Sequence, residues 1–503
     1  MLTSRLFLPL AAAFLFWLAL PGTFVFDDHS LFVDAAVAPI DAWRQWLKPE
    51  QTRPLTYITF WLDYRLWGAQ VAGFRFTNLL IHASAAAFLF LIVRRLFDPA
   101  TALIAAAIFA LHPLTHEPLL YIFARGSSLA ALFCLLAMWL WLKEKPIPAI
   151  AAFAASLLAK EEWVAFPLAL LLIDFARSRK PKWLCITAML ALAAAAGIRV
   201  IYATKIIPDS GSGFGQQTTP WKYFLLQGQS IPAYLWRIAV PINMSIDPAA
   251  PSESLAFWGL LAIGVGVAAI YWSKISQPGF WLLPALVLLL PSSSILPAAD
   301  AIAFRRMYLP MALIAIAIAL ALKKRPKAAM ALILLWSVLG AARRSTWASE
   351  QALWSDAAQQ APGKLRPYIQ LARLSPANDA LHYLDKAREI APNDPEVASE
   401  RGRVWLESGD PARALGEFGR ALALAPQQAR HLQNRGAALL ALGQTDAARA
   451  DFETALQRDP CLKPARENLL RLGVQPPPAP TTARCFAPPL SAPGTASPEG
   501  QSR

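Results

Sequence analysis

Long apolar runs separated by short polar loops fill the first two thirds of this 503-residue chain. A helix needs about 20 apolar residues to cross a bilayer, and most of the runs approach or reach that length. They lie at 5–26, 78–97, 101–112, 127–142, 147–160, 162–176, 183–203, 255–272, 279–297, 307–322 and 328–342. The pattern therefore predicts an all-α fold that begins with a polytopic membrane bundle of about eleven spans over residues 1–342.

Basic residues orient these spans. Lysines and arginines cluster at 94–95, 143–145, 177–182, 274 and 323–327. Loops of this kind stay in the cytoplasm, so the net charge of +14 indicates membrane anchoring and not nucleic-acid binding. With the N-terminus inside, the opposite loops lie outside: Asp27-Asp28, 113–126, 160–162, 204–254 and Arg305-Arg306. Residues 223–246, which contain Pro232 and Pro241, are predicted as an interfacial or re-entrant helix. A full span there would instead place the C-terminal domain inside.

A different pattern begins near residue 343, where the sequence repeats with a period of 34. The repeated positions are Pro392/Pro426/Pro460, Leu384/Phe418/Phe452, Ala387/Ala421/Ala455, Gly402/Gly436 and Gly409/Gly443. Small residues where paired helices touch, and proline after the second helix, are typical of tetratricopeptide repeats. We therefore predict a tetratricopeptide-repeat α-solenoid over 343–472, on the outer side of the membrane, and a Pro-rich disordered tail over 473–503.

The outer loops carry acids, bases and cations that suit sugar transfer from a lipid phosphate to a hydroxyl. Such a transfer needs a carboxylate that takes the hydroxyl proton and cations that hold the departing phosphate. Asp27 and Asp28 are the candidates for the base. The candidates for the phosphate contacts are Lys160, Arg125, Arg305 and Arg306. The chain has no Gly-rich or Ser-His-Asp pattern that would indicate soluble nucleotide or hydrolase chemistry.

A series of short motifs, in order along the chain, resembles the transmembrane and tetratricopeptide-repeat O-mannosyltransferases of the GT-C glycosyltransferase superfamily. The motifs are Phe26-Asp27-Asp28-His29, Arg53-Pro54-Leu55-Thr56, Asn78 with His82, His112-Pro113 with His116, Glu117 and Arg125, Ala159-Lys160-Glu161, Arg305 with Tyr308-Leu309-Pro310, and Trp347-Ala348-Ser349-Glu350. The resemblance covers roughly residues 20 to 460. The order of the motifs carries it more than any one of them does.

The resemblance implies a polyprenyl-phosphate sugar donor, typically with mannose, and Ser or Thr acceptors on exported proteins. It also implies inversion at the anomeric carbon, with the first-loop aspartate as base. The expected substrate-binding residues are Arg53, His112, His116, Glu117, Glu161 and Tyr308. We expect no cofactor and no metal site; a divalent metal at His112, His116 and Glu117 is the weaker alternative, because one cluster without fixed ligand spacing is poor evidence.

Two other functions stay open. In the first, the chain is a transferase that modifies a glycan or a lipid. In the second, it is a non-enzymatic platform whose repeats recruit envelope partners. In the favoured interpretation, the protein lies in the inner membrane with its repeat domain in the periplasm, where the repeats bind the acceptor protein. Loss of activity in Asp27→Asn, with the fold kept, would favour the enzymatic functions over the platform.

Overall fold

The computed structural model describes residues 22–32, 37, 39–41, 43, 51–206, 219–249, 251–254, 258, 274–293, 297–298 and 300–478. Helices joined by short 3₁₀ turns make up nearly all the regular structure of this part, which confirms the prediction of an all-α fold. Within it the chain forms two compact units. The first contains the residues up to Met244 and those from 251 to Glu350, and the second contains Ser245–Ala249 and the residues from Gln351 onward.

The first unit contains helices whose bounds follow the apolar runs. They are Pro54–Trp67, Val71–Leu96, Pro99–Leu111, Arg125–Leu142, Pro146–Ala159, Phe166–Ala176, Trp183–Ile206, Pro220–Ala239, Leu282–Leu289, Tyr308–Leu322 and Pro326–Ala342. Several begin with proline, which lacks an N–H and has a backbone torsion that suits the first helical position. Asp98 caps the helix that follows it, because its carboxylate accepts a hydrogen bond from the N–H of Thr101 at 2.9 Å.

Within the described part, five helices are long and apolar enough to cross a membrane, and four shorter apolar helices accompany them. Together they coincide with the predicted runs, except for 5–26 and 255–272, which lie almost wholly outside the described residues. These helices indicate a multi-pass membrane protein. Helix Pro220–Ala239 has 20 residues but is not among those apolar enough to span, so its interfacial position stays a prediction.

Burial separates inner helices from peripheral ones. Helix Tyr308–Leu322 is buried along nearly its whole length and packs against Pro99–Leu111. Helix Arg125–Leu142 is buried between Val71–Leu96 and Pro146–Ala159. By contrast, Trp183–Ile206 exposes large aliphatic side chains, as expected for a helix that faces lipid. The turns that follow Pro99–Leu111 contact the turn Phe304–Met307 that precedes Tyr308–Leu322, and this contact positions the candidate site.

The second unit consists of paired helices, as the period of 34 predicts. They are Glu350–Gln360, which begins in the first unit, Leu365–Leu374, Ala377–Ile390, Pro395–Glu407, Pro411–Leu424, Ala429–Ala441, Thr445–Arg458 and Lys463–Arg471. Gly402 faces Phe418, and a Cβ on the glycine would lie 2.6 Å from that ring. One period later, Gly436 faces Phe452, where the same distance is 2.7 Å. The glycines recur because each one admits a phenylalanine of the facing helix. Most of the predicted tail lies outside the described residues.

Candidate active site

Four loops that the sequence predicts on the outer side meet and are joined by hydrogen bonds. The first loop forms the 3₁₀ turn Phe26–Leu31, and the second runs from His112 through short turns to the helix that begins at Arg125. The third contains the turn Glu161–Trp163, and the fourth contains the turn Phe304–Met307. The N–H of Phe123 donates to Asp28, and Arg305 bonds Glu117. These two bonds join residues that are 95 and 188 positions apart in the sequence.

The two adjacent aspartates have different surroundings. Asp28 is fully buried, and its carboxylate accepts hydrogen bonds from the N–H groups of Phe123 at 2.7 Å and Val25 at 3.1 Å. Burial raises the pKa of Asp28 to about 7, although these two donors and Arg75 oppose the rise. Asp27 is partly exposed, and Tyr121 Oη donates a hydrogen bond of 2.7 Å to its Oδ2. Asp28 therefore joins two loops, while Asp27 presents a carboxylate at the surface of the site.

Three predicted cations of the site are partly exposed and paired. Arg53 makes a two-point contact with Glu161, at 2.8 and 3.3 Å. Lys160 Nζ lies 2.7 Å from Ser127 Oγ and 3.0 Å from Glu162. Arg305 bridges Glu117 at 3.1 Å and Asp300 at 3.3 Å. Side-chain exposure of Arg53, Lys160 and Arg305 is 30%, 16% and 23%.

The charges of these three cations act on one another. Burial lowers the pKa of Lys160, and the positive charges of Arg53 and Arg305 lower it further, against the pull of Glu162. Burial alone would raise the pKa of Glu161, but its contact with Arg53 lowers it below the usual range. Burial also holds the pKa of Tyr121 well above its usual value, as do the charges of the two aspartates. The two aspartates and Arg305 thus act on the same phenol, and Arg53 and Arg305 act on the same ammonium, so the charges of these loops are coupled.

Two other predicted phosphate contacts are engaged elsewhere. Arg125 is fully buried and bonds Asp63 at 2.5 Å, Asn78 Oδ1 at 2.6 Å and the carbonyl of Phe74 at 2.8 Å. Arg306 is also buried, and its guanidinium donates to the carbonyl oxygens of Asp300 at 2.7 Å and Ala301 at 3.0 Å. Contact of either guanidinium with a phosphate would require these bonds to break.

The remaining predicted residues lie deeper. His112 donates from Nε2 to the carbonyl of Ile238 at 3.0 Å and accepts at Nδ1 from the N–H of Leu114, so it is neutral, and burial lowers its pKa to about 4. Burial also lowers the pKa of His116, whose Nε2 finds no hydrogen-bond partner among the described residues. Tyr308 Oη bonds His82 Nδ1 at 2.6 Å. Among the described residues, no group of three or more His, Cys, Asp or Glu side chains is arranged to hold a metal ion.

Sequence reasoning missed Tyr121 and Glu350 as site residues. Tyr121 bonds Asp27 directly, and Glu350 accepts hydrogen bonds from the first loop. Tyr121 lies within the outer loop that was predicted, and Glu350 within a quoted motif. A tyrosine or a glutamate in such a loop has no spacing that marks its partner, so only the fold shows these contacts.

No family model matches the chain. Its sequence is similar to curated relatives, however. Protein O-mannosyl-transferase F38B6.6 of Caenorhabditis elegans is 24% identical over 405 residues, which are 71% of this chain and 57% of that protein. Human protein O-mannosyl-transferase TMTC4 is 31% identical over 144 residues, 23% of this chain and 19% of that protein, and mouse TMTC3 is 28% identical over 144 residues, 26% and 16%. The resemblance to these O-mannosyltransferases is confirmed.

The chain spans less than two thirds of the length of these curated relatives. Among solved structures, ArnT from Cupriavidus metallidurans bound to undecaprenyl phosphate aligns over 89% of this chain and 79% of that one. The identity is 14% and the TM-score 0.41. The sequence similarity thus identifies the relatives, and the activity of this chain has to be argued from its own site.

Proposed function

We propose that the chain is a membrane glycosyltransferase that moves a hexose, mannose in view of its relatives, from a polyprenyl phosphate to Ser or Thr hydroxyls of exported proteins. The reaction takes place at the outer face of the inner membrane. The observation that carries this proposal is the partly exposed carboxylate of Asp27 among loops that also supply Arg53, Lys160 and Arg305. A base and phosphate-binding cations on one side of apolar helices are what a lipid-phosphate sugar donor requires.

Asp27 acts as the base in this proposal. Its carboxylate takes the proton of the acceptor hydroxyl while that oxygen bonds the anomeric carbon. The bond from that carbon to the phosphate oxygen breaks in the same step, and the polyprenyl phosphate leaves with the electron pair, which inverts the sugar. Tyr121, which donates to Oδ2 of Asp27 at 2.7 Å, orients the carboxylate so that a lone pair faces the acceptor.

Asp28 acts as a positioning residue. Both of its oxygens accept backbone N–H groups, and its side chain is fully buried, so it has no route to an acceptor hydroxyl. It holds the first loop against the second loop, at Phe123. Asp27 is thereby fixed beside Tyr121, and the two acids of the motif divide the work between them.

Lys160 and Arg305 are the proposed donor-phosphate contacts, with Arg53 beside them. All three are partly exposed and pair with carboxylates that sit in the same loops. A phosphate that enters competes for these cations, and the fixed fork of an arginine suits its oxygens. Arg125 and Arg306 support the loops from within, because buried acceptors already bind their guanidinium groups.

The test is transfer by the purified full chain from polyprenyl-phosphate mannose to an acceptor peptide, read by mass spectrometry together with the glycans of exported proteins. Asp27→Asn is expected to abolish hexose transfer. Asp41→Asn, which changes an exposed acid in the same first loop, is the matched control and is expected to be active. Full activity of Asp27→Asn would overturn the role of the base. No hexose on any peptide, with the wild type folded, would favour a glycan or lipid acceptor or the non-enzymatic platform.

A further inference from the structure

We propose that Glu350 is a positioning residue for the base, because its carboxylate contacts the turn on both sides of the Asp27-Asp28 pair. This inference rests on the proposed role of Asp27. Glu350 lies 324 residues after Phe26 in sequence, yet its Oε1 accepts a hydrogen bond from the N–H of Phe26 at 2.9 Å. Its Oε2 lies 3.0 Å from Nε2 of His29. One side chain thus bonds the residue before Asp27 and the residue two positions after it.

The turn needs such a support because its first residue is strained. Phe26 has a φ of +50°, in the left-handed region that a residue with a bulky side chain rarely adopts. A conformation of this kind is strained and persists only where the surroundings hold it. The N–H that Glu350 accepts belongs to this same residue. The bond therefore acts at the point where the backbone would otherwise relax and turn Asp27 away.

Aromatic rings also connect the turn, through Tyr121, to the segment that carries Glu350. The ring of Phe26 stacks on that of Tyr121 at 6.5 Å between centroids, and Tyr121 lies 6.2 Å from Trp347. Trp347 precedes Glu350 by three residues, so the segment 347–350 contacts the site through a ring and a carboxylate. Tyr121, between these rings, is also the residue that donates to Asp27.

The two bonds of Glu350 are expected to have unequal weight. The side chain of His29 is 50% exposed and that of Glu350 15%, and an ion pair with one partner this exposed contributes little. The bond to the Phe26 N–H satisfies a main-chain donor, and leaving such a donor without an acceptor costs more. The positioning effect therefore belongs to Oε1, and an uncharged acceptor of the same shape is expected to preserve most of it.

Three variants of the full chain test this assignment. Glu350→Ala removes both bonds and is expected to lower kcat about tenfold or more, with the KM for the donor lipid nearly unchanged. Glu350→Gln keeps a carbonyl oxygen for the Phe26 N–H and is expected to stay within about threefold of the wild type. His29→Ala, the matched control, removes only the partner of Oε2 and is expected to resemble Glu350→Gln. Equal loss in Glu350→Gln and Glu350→Ala would overturn the assignment to Oε1.

Hydrogen exchange gives a second measurement that needs no turnover. The amide of Phe26 is expected to exchange slowly in the wild type and in Glu350→Gln, and faster in Glu350→Ala. Unchanged exchange in Glu350→Ala would overturn the inference whatever the activity. The two proposals also fail separately. If Asp27→Asn is inactive while Glu350→Ala keeps full kcat, only the role of Glu350 is wrong; if Asp27→Asn is active, the proposed base is wrong.

Discussion

Replacing Arg125 by methionine distinguishes a residue that supports the fold from one that binds the donor phosphate. The guanidinium is fully buried and donates to Asn78 Oδ1, Thr59 Oγ1 and the carbonyl of Phe74, beside its ion pair with Asp63. Removing one partner of a buried ion pair costs about 3–5 kcal/mol, because the other charge stays buried without a counterion. Leaving the Asn78 oxygen without its donor adds about 1–3 kcal/mol.

The assay is a double-mutant cycle on the full chain in detergent, with unfolding free energy and transfer activity both measured. Arg125→Met is expected to lose more than 3 kcal/mol, by the cost of an unpaired buried charge. Adding Asp63→Leu removes that charge and is expected to recover about 2 kcal/mol, since the partners are in contact and their effects do not add. The recovery is incomplete because Asp63 also accepts a hydrogen bond from Thr77. Activity is expected to return with stability.

A different result would identify Arg125 as a ligand of the donor phosphate. Should Arg125→Met unfold like the wild type but show a raised KM for the donor lipid, or should the double variant be stable and still inactive, Arg125 would be a phosphate ligand. The buried contacts of Arg125 with Asp63 and Asn78 would then belong to the protein without its donor. Recovery of both stability and activity in the double variant leaves no such role for the guanidinium.

Three further predictions concern the phosphate contact, the repeat glycines and the buried His112. Arg305→Lys keeps the charge but loses the fork that bridges two carboxylates, so the donor KM is expected to rise about tenfold with little loss of stability; an unchanged KM would contradict the phosphate contact. Gly402→Ala is expected to destabilise its repeat by about 1–2 kcal/mol, because the added methyl group meets the ring of Phe418. Gly419 has open space around it, so Gly419→Ala is expected to stabilise the repeat by up to about 1 kcal/mol. Hydrogen exchange of the repeat measures both effects. Burial lowers the pKa of His112 from 6.5 to about 4, so its neutral form stabilises the fold above pH 6.5. This contribution, about 3 kcal/mol, is lost as the pH falls toward 4, and His112→Gln should flatten the decline in unfolding free energy.

The helices and repeats were predictable because hydrophobic burial leaves a period in the sequence. Apolar runs of near-spanning length gave the helices of the first unit, and the period of 34 identified the pairs that touch. Gly402 and Phe418 lie 16 residues apart, and the structure places them in contact. Within a helix or a repeat, a local pattern determines a local contact, so such contacts can be predicted without knowledge of the rest of the fold.

The division of roles among the arginines was not predictable in the same way. Arg125 follows a loop predicted to lie outside and Arg305 lies within another, and the charge rule treats them alike. What separates them is Asp63, which lies 62 residues before Arg125 and reaches it only through the packing of three helices. No spacing in the sequence marks such a pair. Glu350 and Phe26 present the same difficulty over a longer separation.

The neighbouring aspartates show why the candidate site depends on one backbone torsion. Adjacent residues in a tight turn point in different directions, so one acid of the pair can face the interior while the other faces the opening. The left-handed conformation at Phe26 sets which is which: Asp28 accepts two main-chain N–H groups and is buried, and Asp27 remains at the surface beside Tyr121. A relaxed Phe26 would change the direction of both side chains at once. The position of the base therefore depends on Phe26 and Glu350 as much as on the acid itself, and substitutions at these two residues are expected to alter turnover without touching any substrate.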